Sequence, residues 1–472
     1  MEIPFCGPSQ DGRLRLVSGQ RSINLYPKVE TSGSKNKVSL YSTPGLPFLA
    51  SAGSGACRSN GVKFGVFVFF VIGNSLVSVD SAGTAVVRGT LSTSSGRVSL
   101  VSGRTYLMLV DGTAGYSWDG ATFATIADPD FPNGATHVTY LDGYFIVNKP
   151  ATGEFYINTT TEDLTAWSAL DFANAAARPD NITALISTAK DLYCFGDESM
   201  QMFFNSGNLD FPFEPYPNGV ITVGIAAPHT LVQNETGVYF LAISSEGGLY
   251  IARANGLQLE RLSTDEIEWQ INQYQTTNDA IAWLENEGGR TYFVITFVSA
   301  DKTYCCDIGM PKDMSWFEKK SFGIGRWRAN GFGSLGKRRI VGDYTNNNLY
   351  ELDFNTYTEN GATIERERYA QVIHSERNNI IINRIVFDME VGVGTVSGQG
   401  VAPVMLFRYS TDGQKTWSSE LSESLGALGN YTDEVEYRKL GIGRTFAFHT
   451  KVTDPVAVNF LAAFGDIEVL DN

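Results

Sequence analysis

Near the C-terminal end of this 472-residue chain, the stretch YSTDGQKTWSSE (Tyr409 to Glu420) carries Ser410, Asp412, Thr416 and Trp417 within eight residues. A hydroxyl, a carboxylate and an indole at this spacing allow two kinds of chemistry. The carboxylate could act as an acid or nucleophile beside an aromatic platform, as glycoside hydrolysis requires. Alternatively, Ser410 and Asp412 take hydrogen bonds from the backbone of a hairpin turn and Trp417 packs beneath it. The spelling is close to Ser-x-Asp-x-Gly-x-Thr-Trp, the aspartate box of sugar-processing propellers, with Gly413 one place early and Gln414 where the glycine should stand. The box is structural even in those proteins. Ser410, Asp412 and Trp417 are therefore expected to be turn residues, not catalytic ones.

The alternative function this stretch raises is a propeller glycan hydrolase or lectin of the sialidase kind. That chemistry needs an arginine cluster for the substrate carboxylate, a tyrosine nucleophile with a carboxylate partner, and an acid/base. No local trace of this set is visible. Other candidates dissolve as readily. GFGSLG (Gly331 to Gly336) matches G-x-G-x-x-G, yet KRRIVGDYTNNNLYELDF continues it as strands and a turn where a dinucleotide site needs a helix. Glu365, Glu367, Asp388 and Glu390 fall in alternating pairs; residues two apart share a strand face, so each pair reads as a polar, solvated face. Cys305 and Cys306, adjacent in a strand, must point to opposite faces and cannot share a metal. The four histidines, His137, His229, His374 and His449, show no ligand spacing. No catalytic, cofactor or metal site is expected.

One window does stand out by charge. Lys319 to Arg339, KKSFGIGRWRANGFGSLGKRR, holds seven bases and no acid, with Phe322, Trp327 and Phe332 interleaved. Arg326, Arg328, Lys337, Arg338 and Arg339 are the candidates for touching DNA phosphates. Given the acidity of the whole chain, the favoured reading is a loop and strand pair that faces an acidic neighbouring subunit or solvent. The chain as a whole argues against nucleic-acid wrapping, because 51 acids against 36 bases leave a net charge of −15. The first sixty residues invert that balance, with seven bases and three acids.

The elements that must position these residues are strands. Asn-Gly and Asp-Gly pairs recur from Asp11 to Asp412, and between them lie short runs such as RTYLMLVD, GYFIVN and GVYFLAI. These are the signals of antiparallel hairpins. Strand-rich units begin near Gly61, Arg97, Val138, Ile182, His229, Ala280 and Arg328, a drifting period of about 40 to 50 residues that marks propeller blades. The period supports six or seven blades. Two interruptions are expected: a short helix in Ser263 to Tyr274 with a Ser263/Glu266 capping box, and a surface excursion over Thr161 to Asn181. From about Ala362 the strands lengthen, as in a two-sheet sandwich or jelly roll. The expected organisation is all-β: an extended N-terminal arm (1–60), a β-propeller (61–361) and a C-terminal β-sandwich (362–472). The scattered, odd-numbered cysteines read as reduced thiols of a protein folded in a cytoplasm. The N-terminus shows no signal-peptide pattern, and FGVFVFFVIG is half the length of a membrane helix, so no membrane insertion is expected.

Several stretches resemble the packaged-DNA stabilisation proteins of short-tailed phages, also called tail accessory, hub or nozzle proteins. INLYPKVETSGSKNKVSLYSTPGL (Ile23 to Leu46) is similar to that family's NLYPE…LY.TPGL opening, with Lys28 in place of the usual acid. GRVSLVSGRTYLMLVDGTAGYSWDG, LTAWSALDFANAAARPDNITAL, MFFNSGNLDFPFEPYPNGVITVGIAAPHTL, ERLSTDEIE and YSTDGQKTWS follow in family order. The resemblance implies a virion protein of the phage tail: a homo-oligomeric ring of six copies below the portal and its adaptor (connector), enclosing the channel through which genomic DNA leaves without sequence-specific binding. It implies tailspikes or tail fibres outside and a tail needle or plug at the tip. The family lacks catalytic residues, so the resemblance assigns none and calls for no cofactor.

Overall fold

The computed structural model describes residues 1–29, 38–175 and 177–470. Residues 30–37 of the N-terminal motif and Ala176 of the expected excursion lie outside that set. Six short strands open the chain: β1 (Glu2–Ile3), β2 (Gln10–Asp11), β3 (Gly19–Ile23), β4 (Leu25–Val29), β5 (Val38–Ser42) and β6 (Phe48–Ser51).

Seven antiparallel blades follow, settling the open choice between six and seven. Their inner strands are Val62–Phe64, Ser99–Ser102, Val138–Leu141, Ala184–Ser187, Val232–Asn234, Ile281–Glu287 and Ala329–Leu335. Each begins within a few residues of the periodic units read above. A blade is covered on both faces by its neighbours, so its middle strands are apolar throughout. Phe67–Ile72 shows how the strand period divides that surface. Val68, Phe70 and Ile72 pack toward blade 7 against Leu335, Ile340 and Leu349, whereas Phe69 and Val71 pack toward blade 2 against Leu107 and Leu109. Each gap between blades holds one such cluster.

The ring closes by a strand from the far end of the chain. Blade 7 takes its inner three strands from residues 329–351, and β6 supplies the fourth by pairing with Asn348–Glu351. Where blades 7 and 1 meet, their backbones touch: a Cβ at Gly333 would lie 2.8 Å from the Gly61 Cα, and one at Gly61 2.7 Å from the Gly333 Cα. Glycine is needed there for close approach. The GFGSLG run is thus inner-strand packing at the ring seam.

Two local expectations change. The helix spans Asp265–Ile271, and its cap is Thr264, whose hydroxyl accepts from the Ile267 amide. Ser263 instead accepts from the Ile251 amide and bonds Glu268. The excursion over Thr161 to Asn181 contains the Trp167–Asn174 strand, the outer strand of blade 3. Its alternation is irregular because an outer strand is only partly covered.

The sandwich packs two sheets around Leu25, Leu40, Ile382, Phe387, Phe407, Phe448 and Phe460. One sheet runs β4, β5, Phe460–Leu470, Asn379–Met389, Val435–Gly443, with β1 also on Phe460–Leu470. The other, Arg366–Tyr369, Thr445–Val452, Val404–Ser410 and Leu421–Ser424, does not end at its edge. Arg366–Tyr369 pairs with β3, and β3 pairs in parallel with Trp316–Glu318, the outer strand of blade 6. One hydrogen-bonded sheet therefore crosses from propeller to sandwich. The described N-terminal residues are largely extended, and they run along their own chain. Their apolar side chains find partners hundreds of residues away, which no local pattern records.

Leu40 is fully buried among the sandwich strands. Leu40→Ala should cost about 2–5 kcal/mol, the usual range for a buried leucine truncation. Denaturant unfolding checks this, and a loss below about 1 kcal/mol would contradict the N-terminal hairpin's place in the core.

Candidate functional site

The turn at the end of Val404–Ser410 is built around Asp412. Its carboxylate accepts from the amides of Lys415 (3.0 Å) and Thr416 (2.9 Å) and from the Thr416 hydroxyl (2.7 Å). The Ser410 hydroxyl donates to Asp412 (2.8 Å) and accepts from the Gln414 amide (2.9 Å). These bonds, those of Thr416 first, hold the Asp412 carboxyl well below the usual carboxylate range. A carboxylate so committed to its own turn has little left for a substrate. Gly413 and Gln414 both have positive φ, 73° and 66°, which explains the displaced glycine. The Gln414 side chain reaches the Gly19 carbonyl at 2.9 Å, and Trp417 stands edge-on to Tyr369 and His449 at 5.8 Å. The turn is thereby clamped onto the strands that join the two domains.

The basic window is scattered by the fold. Arg326 is buried, donating to Trp327 O (3.2 Å) and the Asn330 side chain (2.8 Å) with its guanidinium over Tyr344. Arg328 pairs with Asp343 at 3.0 Å, and Arg338 with Glu351 at 2.5 Å. Arg339 donates to the Asn286 carbonyl. Lys319 is buried against Glu285 at 2.5 Å and over the Trp327 ring. Of the seven bases Lys337 is the exposed one. The window looks basic along the chain because its acids, Glu285, Asp343, Glu351 and Glu365, come from other strands. No continuous cationic patch results from these residues.

What the fold concentrates instead is a line of charge across the domain junction. Arg21 of β3 grips Glu318 with two bonds of 2.8 and 2.6 Å. Burial would raise the Glu318 carboxyl, but Arg21 outweighs it and the carboxyl is lowered. Lys320 reaches Glu365 at 2.9 Å and Glu367 at 3.4 Å, and Lys451 closes on Glu365. Glu365 and Glu367 do share a face, as read above, but it is covered by blade 6 and not solvated. That is a correction with a plain cause: the face is polar because ion pairs cross it. His449 sits at the end of the line. Arg408 can only donate, so His449 Nδ1 accepts its bond (3.0 Å), and Nε2–H donates to Glu367 (3.1 Å). The imidazole is neutral, consistent with burial lowering its pKa. Burial also works against the Glu367 charge, yet the His449 bond and the nearby Lys320 and Lys451 hold that carboxyl at about 2.

Arg368, on the same strand, is fully buried, and among the described residues no carboxylate pairs with it. It donates to the carbonyls of Phe5 (2.7 Å) and Pro8 (2.9 Å), to Ser22 (3.0 Å) and to Gln20 (2.7 Å). The N-terminal segment is wrapped around this one guanidinium.

Cys305 faces the cluster shared with blade 7 and Cys306 the cluster shared with blade 5, as strand alternation requires. All five cysteines are free, and among the described residues no group of His, Cys, Asp and Glu is arranged to hold a metal. Nor is any described helix long and apolar enough to cross a membrane. One pairing was invisible in the sequence: His137 and His229 stack at 4.9 Å near the propeller axis.

A seven-bladed propeller joined through a shared strand to a β-sandwich defines the class of fold. Two family profiles match in chain order: "Bacteriophage P22 Gp10, beta-propeller" over residues 17–357 and "Bacteriophage P22 Gp10, beta-sandwich" over residues 365–468. The chain belongs to the phage stabilisation family of bacteriophage P22 Gp10, a family of phage structural proteins. No curated protein sequence matches it. Similar solved structures include the extracellular domain of the putative one component system BT4673 from B. thetaiotaomicron (11% identity, TM-score 0.43, covering 84% of this chain and 48% of that one). BamB from Moraxella catarrhalis (11%, 0.39, 75% and 97%) and the Neurospora crassa Pan2 WD40 domain (9%, 0.39, 66% and 91%) are comparable. At these scores the likenesses carry no functional meaning.

Glu367→Gln should destabilise the protein by about 1–3 kcal/mol at pH 7, since it removes the charge that Lys320 and Lys451 face. The folded carboxyl lies near 2 and the unfolded one near ~4.3. The contribution is therefore complete above the higher value and lost as pH falls through the lower. The gap in melting temperature between wild type and variant should narrow below pH ~4 and vanish near the folded value; a gap independent of pH would refute this. Arg326→Ser should cost stability, on the order of 2 kcal/mol, whereas Lys337→Ser should stay within about 0.5 kcal/mol. Chemical denaturation of the two variants distinguishes them, and equal effects would contradict the placement.

Proposed function

We propose that this protein is a tail nozzle, or hub, subunit: six copies form a ring below the portal and adaptor, retain packaged DNA, and enclose the channel through which it is ejected. The observation that carries this reading is the in-order match to both Gp10 domains across nearly the whole chain. The division into an N-terminal segment, a propeller and a sandwich from residue 362 is part of the same proposal, as are residence in the virion tail, folding in the host cytoplasm, and contacts with tailspike or fibre and with a needle or plug.

Physical features support it. The cavity on the propeller axis measures about 400 Å³, room for about a dozen waters at ~30 Å³ each and far too little for a duplex. A DNA passage must then lie between subunits, on the ring axis and not the propeller's own. A chain of net charge −15 whose basic window is internally paired presents little that would grip phosphate. Repulsion at short range, screened within about 8–10 Å, lets DNA slide without sticking. The continuous sheet from blade 6 to the sandwich makes each subunit one stiff wedge, as a ring under internal pressure requires.

Electron microscopy of the purified protein mixed with its portal and adaptor should show six-fold rings at the adaptor's lower face. A protein that stays monomeric with both partners present would overturn the nozzle reading.

A further inference from the structure

The propeller axis carries a second set of polar groups that the nozzle role does not use. Its cavity is walled by the inner strands of blades 1 to 5 and includes Asn60, Arg97, His137, Thr139, Ser187 and His229, with no aspartate or glutamate in the lining. Several of these reach across the axis. Arg97, entering blade 2, donates through Nη1 to the Asn330 carbonyl of blade 7 (2.7 Å), and Asn60 donates to the Ala282 carbonyl of blade 6 (3.0 Å). The His137 ring bonds the Pro228 carbonyl at 3.2 Å, bridging blades 3 and 5.

Arg97 is the unusual member. Among the described residues no carboxylate pairs with it, and its charged neighbours are other cations, Arg58 and Arg326. Arg58 is satisfied differently, donating to the carbonyls of Gly73 and Thr93 (2.7 and 2.8 Å), Gly96 (2.7 Å) and Ser95. A guanidinium has five N–H donors, and the Asn330 carbonyl occupies one. The rest belong to a cavity-lining group with no protein acceptor. Arg97 is half-buried and its remaining donors open into the cavity, so an anion there would meet an unpaired cation with donors to spare.

The histidines are arranged consistently. A carbonyl only accepts, so His137 Nε2–H donates to Pro228 (3.2 Å); burial lowers the ring's pKa to about 4, so Nδ1 carries no proton and accepts from the Thr136 hydroxyl (3.0 Å). That ring is neutral and fixed. His229 stacks on it, with interplanar angle 18°, and lines the same cavity. Burial, then the neighbouring His137 and Arg97, holds His229 well below the ordinary histidine range. Two neutral imidazoles beside one cation leave a net positive cavity of donors without acceptor carboxylates.

We propose that this axial cavity binds a small tetrahedral oxyanion of the phosphate or sulfate class, with Arg97 as its principal ligand and His229 as a supporting donor. The planar fork of arginine matches two oxygens of such an anion. The volume admits the anion together with several waters, and also the phosphate end of a small phosphomonoester. The cavity lies inside each propeller, so the site is present once per chain whatever the oligomer.

Isothermal titration of the full-length protein in low-chloride buffer tests this, with inorganic phosphate, sulfate, glycerol phosphate and acetate as separate arms. Saturable binding of phosphate or sulfate at one site per chain is expected, with affinity at least tenfold weaker in Arg97→Gln. Tighter binding of glycerol phosphate than of inorganic phosphate would assign the site to a phosphomonoester within the same class. Acetate binding as well as phosphate would overturn the tetrahedral class. No saturable heat with any oxyanion, or equal affinity in wild type and Arg97→Gln, would overturn the proposal. Should Arg97→Gln fail to fold, His229→Asn replaces it: a several-fold loss of affinity supports the site, and an unchanged affinity overturns it.

Discussion

The structure depends on the insertion of β3 between blade 6 and the sandwich. Within Gly19–Ile23, the last three residues pair with Glu367, Arg368 and Tyr369, Ile23 also pairs with Glu318 at the end of the blade 6 strand, and Gly19 and Gln20 pair with β2. Without them each neighbouring strand would present an open edge, and the two domains would meet only through side chains. Interfaces of that kind permit relative motion by default. Here rotation would have to break the backbone pairing of Ile23 with Glu318, the Asn24 amide's bond to the Glu318 carbonyl (2.8 Å) and the Arg21–Glu318 ion pair together.

The charges at this seam follow from the same insertion. Covering a strand face that carries Glu365 and Glu367 is costly unless cations arrive with the cover. Blade 6 brings Lys320, the sandwich brings Lys451, and β3 brings Arg21 for Glu318. Buried ion pairs of this sort contribute modestly to stability, but a wrong docking angle would strand several charges at once. Their value lies in admitting one arrangement. Asn24 adds to that selectivity: its side chain donates to both the Lys320 and Glu365 carbonyls at 2.8 Å, touching blade and sandwich together.

Much of the propeller was legible before any coordinates, because a blade repeats a local pattern: hairpin turns at Asp-Gly and Asn-Gly, then short apolar runs. The starts of all seven inner strands could be read within a few residues. The Asp412 turn was legible for the same reason, since its donors and acceptors lie within the seven residues from Ser410 to Thr416. What stayed hidden is non-local. Nothing in Phe48–Ser51 announces that it completes a blade begun at Ala329. Nothing in the Lys319 to Arg339 run discloses that Glu285, Asp343 and Glu351 neutralise it. The Glu365/Glu367 pair has the alternation of an exposed face, and only the partner strands reveal that it is covered. Likewise His137 and His229 become neighbours through blade geometry alone. Sequence periodicity reports which faces exist; it does not report what covers them.

The closing of blade 7 by β6 also orders events in time. Phe48–Ser51 leaves the ribosome roughly 300 residues ahead of Asn348–Glu351, a delay of about 15–60 s at ordinary synthesis rates. Throughout that interval six blades can stack, each on its predecessor, while the first blade keeps one face bare. The β4–β5 hairpin pairs with itself from the start, yet its sandwich partners are made last of all. The segment synthesised first is thus the last to be seated. A chain built this way cannot finish folding from either end alone, and its completed ring certifies that every residue between has been made.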